Sequence, residues 1–92
     1  MRNHFFAFLV AAALTAAGYR TGLYTSPHLH RLEERFRVDG QPCSPEDLVS
    51  LVDRIRPATE AMQQEFGAPS FFELTTAMSL LHFDTVGCDA VV

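Results

Sequence analysis

Apolar and polar residues follow one another along the chain in blocks that predict helices and strands in a regular order. Residues 5–17 form an Ala- and Leu-rich run, and Gly18 after it is a typical helix stop. Residues 19–24 favour a short strand, which Ser26-Pro27 must end because proline restricts the preceding residue and has no amide hydrogen. In an open α/β sheet, ligands bind at the carboxyl ends of strands. The polar residues 25–28 are therefore a candidate site.

The middle of the chain predicts a hairpin followed by a long helix. Residues 35–38 alternate polar and apolar side chains, as a half-exposed strand does, and Asp39-Gly40 is a tight-turn signal. Ser44-Pro45 predicts a helix start. The apolar stripe of this helix, which we interpret as core, consists of Leu48, Leu51, Val52, Ile55, Met62 and Phe66. Because Pro57 leaves the Asp53 carbonyl without a donor, we expect a kink or a break near it.

The last third of the chain predicts one more helix and a strand. Ser70 starts a run that is apolar nearly all round, which is typical of a helix buried on several sides, and Gly87 stops it. Residues 88–92 then favour a strand. The order helix, strand, hairpin, helix, helix, strand predicts an α/β fold, with residues 1–92 as one partial domain.

Composition excludes several classes of function. The hydrophobic content of 48% and the charged content of 20% are typical of a folded protein, and the net charge of −4 includes seven Arg and no Lys. Without a basic run, we predict no nucleic acid partner. Cys43 and Cys88 have neither a CxxC nor a zinc spacing, so we interpret them as buried, reduced thiols. His28 and His30 lack the further ligands of a soft-metal site, and His82 is interpreted as a core histidine.

The first 17 residues allow two interpretations. A positive start, an apolar run and small residues after it are typical of a secretory signal, and that interpretation predicts a small exported protein. The run is too short to span a bilayer comfortably, so we predict no membrane partner. The alternative is a buried helix that lies on the sheet of a cytoplasmic protein. We favour the helix, because cleavage would remove an element against which the next strand packs.

Three stretches carry a resemblance to a known family. The family is folylpolyglutamate synthase/dihydrofolate synthase, an ATP-dependent amide ligase of the Mur-ligase type. The stretches that resemble it, in the order in which the family has them, are residues 16–29, 34–40 and 71–77. The resemblance covers most of the chain. It implies part of an N-terminal ATP-binding domain, that is, a partial three-layer α/β fold around a mostly parallel P-loop-type sheet, truncated at both ends.

The resemblance also implies a role for the loop after the first predicted strand. Ser26 matches a serine whose hydroxyl contacts magnesium in the family, and Pro27 and His28 of the same motif shape the loop. Magnesium prefers oxygen ligands, which a hydroxyl provides. Judged from its residue type alone, Ser26 is a turn serine bonded to nearby backbone.

A second implied site lies at the start of the last helix. Ser70, Phe71, Phe72 and Glu73 match the stretch that contacts the pterin part of the folate substrate in the family. An aromatic ring can stack on a flat heterocycle while a carboxylate accepts its N–H donors. The spacing of Ser70 and Glu73 is also that of a capping box, which needs no ligand. Both interpretations stay open at this point.

The reaction implied by the resemblance belongs to folate biosynthesis and one-carbon metabolism. ATP phosphorylates a carboxylate of the folate, with magnesium as cofactor, and the amine of L-glutamate attacks the acyl phosphate. The implied partners are folate or dihydropteroate, L-glutamate and ATP, and the full-length protein is expected to be a monomer. Whether dihydropteroate or a reduced folate is preferred stays open.

Parts of the family's site have no counterpart in this sequence. The phosphate loop of the family, which contains Gly and Lys, would match residues 1–6, and these hold neither. The magnesium-binding Glu, the carbamylated Lys and the glutamate-binding domain would all follow residue 92. We therefore expect no complete catalytic set, and no ligase turnover from these 92 residues alone. The alternative to an inert segment is a non-enzymatic remnant that still binds a pterin.

Overall fold

The structure is a computed structural model that describes residues 2–26 and 30–92, with side chains from residue 5 onward. The described residues form three α-helices, a 3-10 helix and four strands. In chain order these are α1 (Arg2–Ala16), β1 (Thr21–Tyr24), the 3-10 helix (Leu32–Arg35), β2 (Phe36–Val38), β3 (Gln41–Pro42), α2 (Pro45–Phe66), α3 (Phe71–Val86) and β4 (Ala90–Val91). This order confirms the predicted series of elements.

The four strands form one mixed sheet in the order β3-β2-β1-β4. β4 lies parallel to β1, with Gly22 opposite Val91, because two helices carry the chain back between these strands. β2 is antiparallel to β1, with Tyr24 opposite Phe36, and β3 is antiparallel to β2. The α/β class is thus confirmed. Among the described strands, β1 and β4 pair in parallel, whereas the other two pairs are antiparallel, so this part of the sheet is mixed and not mostly parallel.

The predicted turn at Asp39-Gly40 joins β2 to β3. Asp39 and Gly40 have φ angles of 51° and 84°, and two positive φ angles are typical of a two-residue type I′ turn. The turn is also fastened to the start of β1. The Asp39 amide donates to the Thr21 carbonyl at 2.9 Å, and the Thr21 amide donates to the Asp39 carboxylate at 2.8 Å.

Alternate residues of β1 face two different helical layers. Thr21 and Leu23 line a cavity together with residues of α1. Gly22 faces the other way, because a Cβ added to it would lie 2.7 Å from the Phe83 ring of α3. α1 therefore covers one face of the sheet, and α3 with α2 covers the other. This is the three-layer arrangement that the resemblance implies.

The core lies between the sheet and the two later helices. Its buried centre consists of Phe36, Cys43, Leu51 and Met78. Burial of the Cys43 thiol, together with the charges of Glu33 and Asp47, raises its pKa to about 11. Both cysteines are free, Cys43 buried and Cys88 half-buried.

His82 is a buried residue of α3, in agreement with the prediction of a core histidine. Burial disfavours the charged imidazolium and lowers its pKa, although the carboxylate of Asp47 acts in the opposite direction. His82 is therefore held as the neutral imidazole at neutral pH.

α1 ends at the predicted glycine. Gly18 has a φ angle of 100°. Its amide donates to the Thr15 carbonyl at 3.0 Å and the Tyr19 amide donates to the Leu14 carbonyl at 3.1 Å, which is the hydrogen-bond pattern of a Schellman motif. The helix therefore stops where the sequence indicates.

Only one side of α1 is covered. Ala11 is buried toward β1, whereas Phe5 and Phe6 are 72% and 68% exposed. The helix lies on the sheet as the favoured interpretation predicted, but the expectation of a buried helix holds for its inner side alone. None of the described helices combines the length and the apolarity that a membrane crossing needs.

Two expectations about α2 need correction in part. The helix runs continuously from Pro45 to Phe66 with Pro57 inside it, so the alternative of a break is wrong. Asp53, whose carbonyl loses its donor, lies on the exposed side, where water can replace that donor. Met62 and Phe66 were expected in the core but are exposed, because they line a cavity of about 340 Å³ between the end of α2 and the start of α3 that no side chain fills.

α3 is also less covered than its sequence predicted. Its buried side consists of Thr75, Met78, Ser79, His82 and Phe83. Phe71, Phe72 and Leu80 are exposed, since no element in the described part of the chain packs over them. The expectation of burial on several sides is wrong for this chain.

Candidate functional site

The candidate site lies where β1 ends, beside the start of α3. Ser26 follows the last residue of β1 by two positions, and the Arg35 guanidinium donates from Nη1 to Ser26 Oγ at 2.9 Å. The Thr25 amide donates to the Arg35 carbonyl at 3.2 Å. The polar residues after β1 are therefore held by the end of the 3-10 helix, at the edge where ligands bind in α/β sheets.

The carboxyl end of β4 meets the same edge of the sheet. The Tyr24 amide donates to the Val92 carbonyl at 3.1 Å, and the Val92 amide donates to the Gly22 carbonyl at 2.9 Å. Because β1 and β4 are parallel, their carboxyl ends lie side by side, at the edge of the sheet where Ser26 follows β1.

Arg35 connects the two predicted sites. Its guanidinium carbon lies 5.2 Å from the centroid of the Phe71 ring, within cation–π range. The side chain that donates to Ser26 thus also contacts the aromatic pair at the start of α3. Arg35 is only 6% exposed. Sequence reasoning missed it, because the alternating pattern of residues 35–38 places it among the polar positions of a charged surface.

Tyr24 makes a second connection between β1 and α3. Its ring stacks on Phe36 at 6.0 Å and lies 6.2 Å from the Phe72 ring. Its hydroxyl lies 2.7 Å from Thr75 Oγ1 and 3.4 Å from Thr76 Oγ1. Burial alone would raise the pKa of Tyr24, but hydrogen bonds from Thr75 and Thr76 and the nearby Arg35 outweigh it and lower the pKa below 10.

The capping box at the start of α3 is confirmed. The Glu73 amide donates to Ser70 Oγ at 3.1 Å, and the Ser70 amide donates to the Glu73 carboxylate at 2.8 Å. The bond from the Ser70 amide to the carboxylate lowers the pKa of Glu73, and interaction of the carboxylate with the Ser70 hydroxyl acts in the same direction. The cap is formed without a ligand.

The structure separates the predicted pterin-contacting residues into two groups. Phe71 and Phe72 contact Arg35 and Tyr24, on the side of the Ser26 loop. Glu73 lines the cavity between α2 and α3 instead. The aromatic rings and the carboxylate therefore face different surroundings, although they are neighbours in the sequence.

Some predicted residues lie outside the described ones. These are Pro27 and His28, the residues expected to shape the loop. His30 lies within the described part of the chain, and its backbone amide donates a hydrogen bond to the Glu34 carboxylate at 3.1 Å. At the positions that would match a phosphate loop, the described side chains are those of Phe5 and Phe6, both exposed.

Ser26, the residue expected to contact magnesium, lies beside a cation in the structure. Ser26 Oγ accepts from a guanidinium, which is an unfavourable neighbour for a second cation. Within residues 2–26 and 30–92, no group of three or more His, Cys, Asp or Glu is placed to hold a metal. Magnesium takes about six oxygen ligands, so most of them would have to come from elsewhere. The cation beside Ser26 suits an anionic group such as a phosphate.

Comparison with known sequences gives consistent matches. The chain is 40% identical to dihydrofolate synthase/folylpolyglutamate synthase of Bacillus subtilis over 75 residues, which are 80% of this chain and 17% of that protein. It is 36% identical to the Mycobacterium tuberculosis protein of the same name over 92 residues, covering 91% of this chain and 19% of that protein. The chain thus spans about a fifth of the length of these relatives. No family model matches it.

Solved structures match the fold as well. Folylpolyglutamate synthase of Thermotoga maritima superimposes with a TM-score of 0.88 at 38% identity, over 94% of this chain and 21% of that chain. Folylpolyglutamate synthase of Mycobacterium tuberculosis complexed with ADP and AMPPCP gives 0.90 at 38% identity, over 94% and 20%. A complex of FPGS with AMPPCP and folate gives 0.85 at 36% identity, over 94% and 22%.

Proposed function

We propose that this chain, whose sequence and fold match folylpolyglutamate synthase/dihydrofolate synthase over most of its length, is part of the nucleotide-binding domain of a folate ligase. The intact protein would use ATP and magnesium to add L-glutamate to a folate. The observation that carries the proposal is the match, at 36% identity over 94% of this chain, to a structure that holds both AMPPCP and folate.

In the proposed reaction, a carboxylate oxygen of the folate attacks the terminal phosphorus of ATP, and ADP leaves. The amine of glutamate then attacks the acyl carbon, loses a proton and expels inorganic phosphate, so that an amide forms. Catalysis of this type depends on positioning and on stabilising the phosphate charge. Magnesium, when bound, would supply charge neutralisation.

For the anionic side of the site, the proposal assigns Ser26 and Arg35. The guanidinium of Arg35 is a buried cation at the end of the strand. A guanidinium forms strong, charge-assisted hydrogen bonds with phosphate oxygens. The Ser26 hydroxyl is proposed to contact magnesium, because a hydroxyl oxygen is the kind of ligand that this ion prefers.

For the heterocycle of the folate, the proposal assigns Phe71 and Phe72. Both rings are exposed at the start of α3, and aromatic faces stack on flat heterocycles. Ser70 and Glu73 act on this surface through the capping box, which fixes the start of the helix that carries the two rings. We keep Glu73 as a residue of the proposed site for this reason.

Binding of dihydropteroate to the 92-residue chain tests the pterin side. By calorimetric titration, we expect the wild type to bind and Phe72→Ala to bind about tenfold or more weakly, because stacking on an aromatic ring contributes about 1–3 kcal/mol. Phe66→Ala is the matched control, since Phe66 is an exposed phenylalanine at the end of α2 that lines the cavity between α2 and α3. Absence of binding, or an equal loss in both variants, would contradict the proposal.

Turnover tests a separate part of the proposal. Because residues 1–6 contain neither Gly nor Lys, we expect the 92 residues alone to release no phosphate from ATP in a glutamate-dependent manner. Phosphate release that requires both folate and glutamate would show that these residues suffice and that the expectation is wrong.

A further inference from the structure

Tyr24 stands where three parts of the molecule meet. Its backbone amide donates to the Val92 carbonyl beyond β4, and its ring stacks on the fully buried Phe36 of β2. Its hydroxyl reaches α3 at Thr75, 51 residues later in the chain. This residue therefore touches the elements on both sides of β1 as well as the helix above it.

The hydroxyl of Tyr24 leads to the backbone of Phe72. The Thr76 hydroxyl donates to the Phe72 carbonyl at 2.7 Å, and the Thr75 hydroxyl donates to the same carbonyl at 3.3 Å. The Tyr24 hydroxyl lies 2.7 Å from Thr75 Oγ1 and 3.4 Å from Thr76 Oγ1, so it is hydrogen-bonded to both threonines. A continuous chain of hydrogen bonds thus joins the last residue of β1 to the residue that carries an exposed ring.

The other end of the connection is the loop that holds Ser26. Only Thr25 separates Tyr24 from Ser26 in the sequence. The Thr25 amide is held by the Arg35 carbonyl at 3.2 Å, so a Tyr24 that is fixed relative to α3 also limits where Ser26 lies relative to Phe72. Arg35 bridges the same gap through Ser26 Oγ and the Phe71 ring.

We propose that Tyr24 is a positioning residue, whose hydroxyl holds the first turns of α3, and with them Phe72, in a fixed place relative to the Ser26 loop. What is positioned rests on the proposed function, since that function assigns the heterocycle to Phe71 and Phe72. Tyr24 itself needs no contact with a substrate. Its role is to keep the two halves of the site in one arrangement.

Tyr24→Phe tests the proposal, because it removes the hydroxyl and keeps the ring. In NMR spectra of the 92-residue chain we expect weaker cross-peaks between the rings of residues 24 and 72. We also expect amide exchange in the first two turns of α3 to become about two- to tenfold faster, the effect of one lost hydrogen bond. Exchange around Phe83, one turn or more beyond, should not change. Tyr19→Phe is the matched control, since Tyr19 is the only other tyrosine and is exposed.

A second variant shows whether the bond to Thr75 is responsible. Thr75→Val removes the partner hydroxyl and its bond to the Phe72 carbonyl, so the double variant Tyr24→Phe/Thr75→Val should exchange no faster than Thr75→Val alone. Additive effects, or an unchanged first turn of α3 in Tyr24→Phe, would overturn the positioning role.

Binding of pteroate provides the functional readout. We expect Tyr24→Phe to weaken it about two- to tenfold while Tyr19→Phe binds like the wild type. Equal affinity of Tyr24→Phe and the wild type would overturn the role in binding. If the wild type binds no pteroate at all, the proposed function fails, and the exchange and cross-peak measurements still decide whether Tyr24 fixes α3.

Discussion

α1 and α3, which lie on opposite faces of the sheet, have similar apolar content but bury different amounts of it. On the face of α2 and α3, Phe36, Leu51 and Met78 form a closed core. On the face of α1, Ala11 is buried while Phe5 and Phe6 remain exposed. α3 is braced by both the sheet and α2, whereas the main contacts of α1 are with β1. An apolar sequence allows a helix to bury its side chains, but how many of them are buried depends on how many other elements pack against the helix.

The largest expected effect comes from replacing one phenylalanine on each face of the sheet. Phe36→Ala should destabilise the chain by about 3–5 kcal/mol, because it empties the centre of the core. Phe5→Ala should change the free energy of unfolding by about 0.5 kcal/mol or less, since its ring is exposed. Urea unfolding followed by circular dichroism measures both. Similar costs for the two variants would mean that the two faces are equally packed.

A smaller effect is expected where α3 approaches β1 most closely. Gly22→Ala places a methyl group 2.7 Å from the Phe83 ring, so it should destabilise the chain by about 1–3 kcal/mol. In a Phe83→Leu background, where the ring is gone, the cost of Gly22→Ala should fall. A cost that is the same in both backgrounds, measured by urea unfolding, would rule out the close contact as its cause.

The smallest effect concerns the cap of α3 and depends on pH. Glu73 has a folded-state pKa below its ordinary value of 4.5, so its contribution to stability is fully present above about pH 4.5 and is lost as the pH falls through the lower, folded-state pKa. Urea unfolding measured at decreasing pH gives the loss of stability in acid. In Glu73→Gln, the part of this loss that comes from protonation of Glu73 should be missing. Glu65→Gln, an exposed glutamate of α2, is the control. If the stability of Glu73→Gln depends on pH as that of the wild type does, the Glu73 carboxylate is not a cause of the acid destabilisation.

The elements that sequence reasoning predicted correctly are fixed by local chemistry. Asp39-Gly40 forms its turn because few other residue pairs adopt two positive φ angles easily. Gly18 ends α1, and Ser70 with Glu73 starts α3, through bonds to residues at most five positions away. In each of these places, the residues that decide the structure are neighbours in the sequence.

The parts that sequence reasoning missed depend on contacts between distant residues. The bond between Tyr24 and Thr75 spans 51 residues, and β2, β3 and α2 lie between Arg35 and Phe71 in the sequence. No local pattern marks either one. The exposure of Met62 and Phe66 was missed for the same reason, since a helical stripe predicts which residues share a side but not whether another element reaches that side.

The pairing of β1 with β4 has a consequence for synthesis of the chain on the ribosome. The Arg20 amide donates to the Asp89 carboxylate across 69 residues, so β1 emerges long before the strand that completes its edge. Until then the hairpin and the two later helices can form from local contacts, while one edge of β1 stays open to any other extended chain. This interval is when the nascent polypeptide would most need a chaperone.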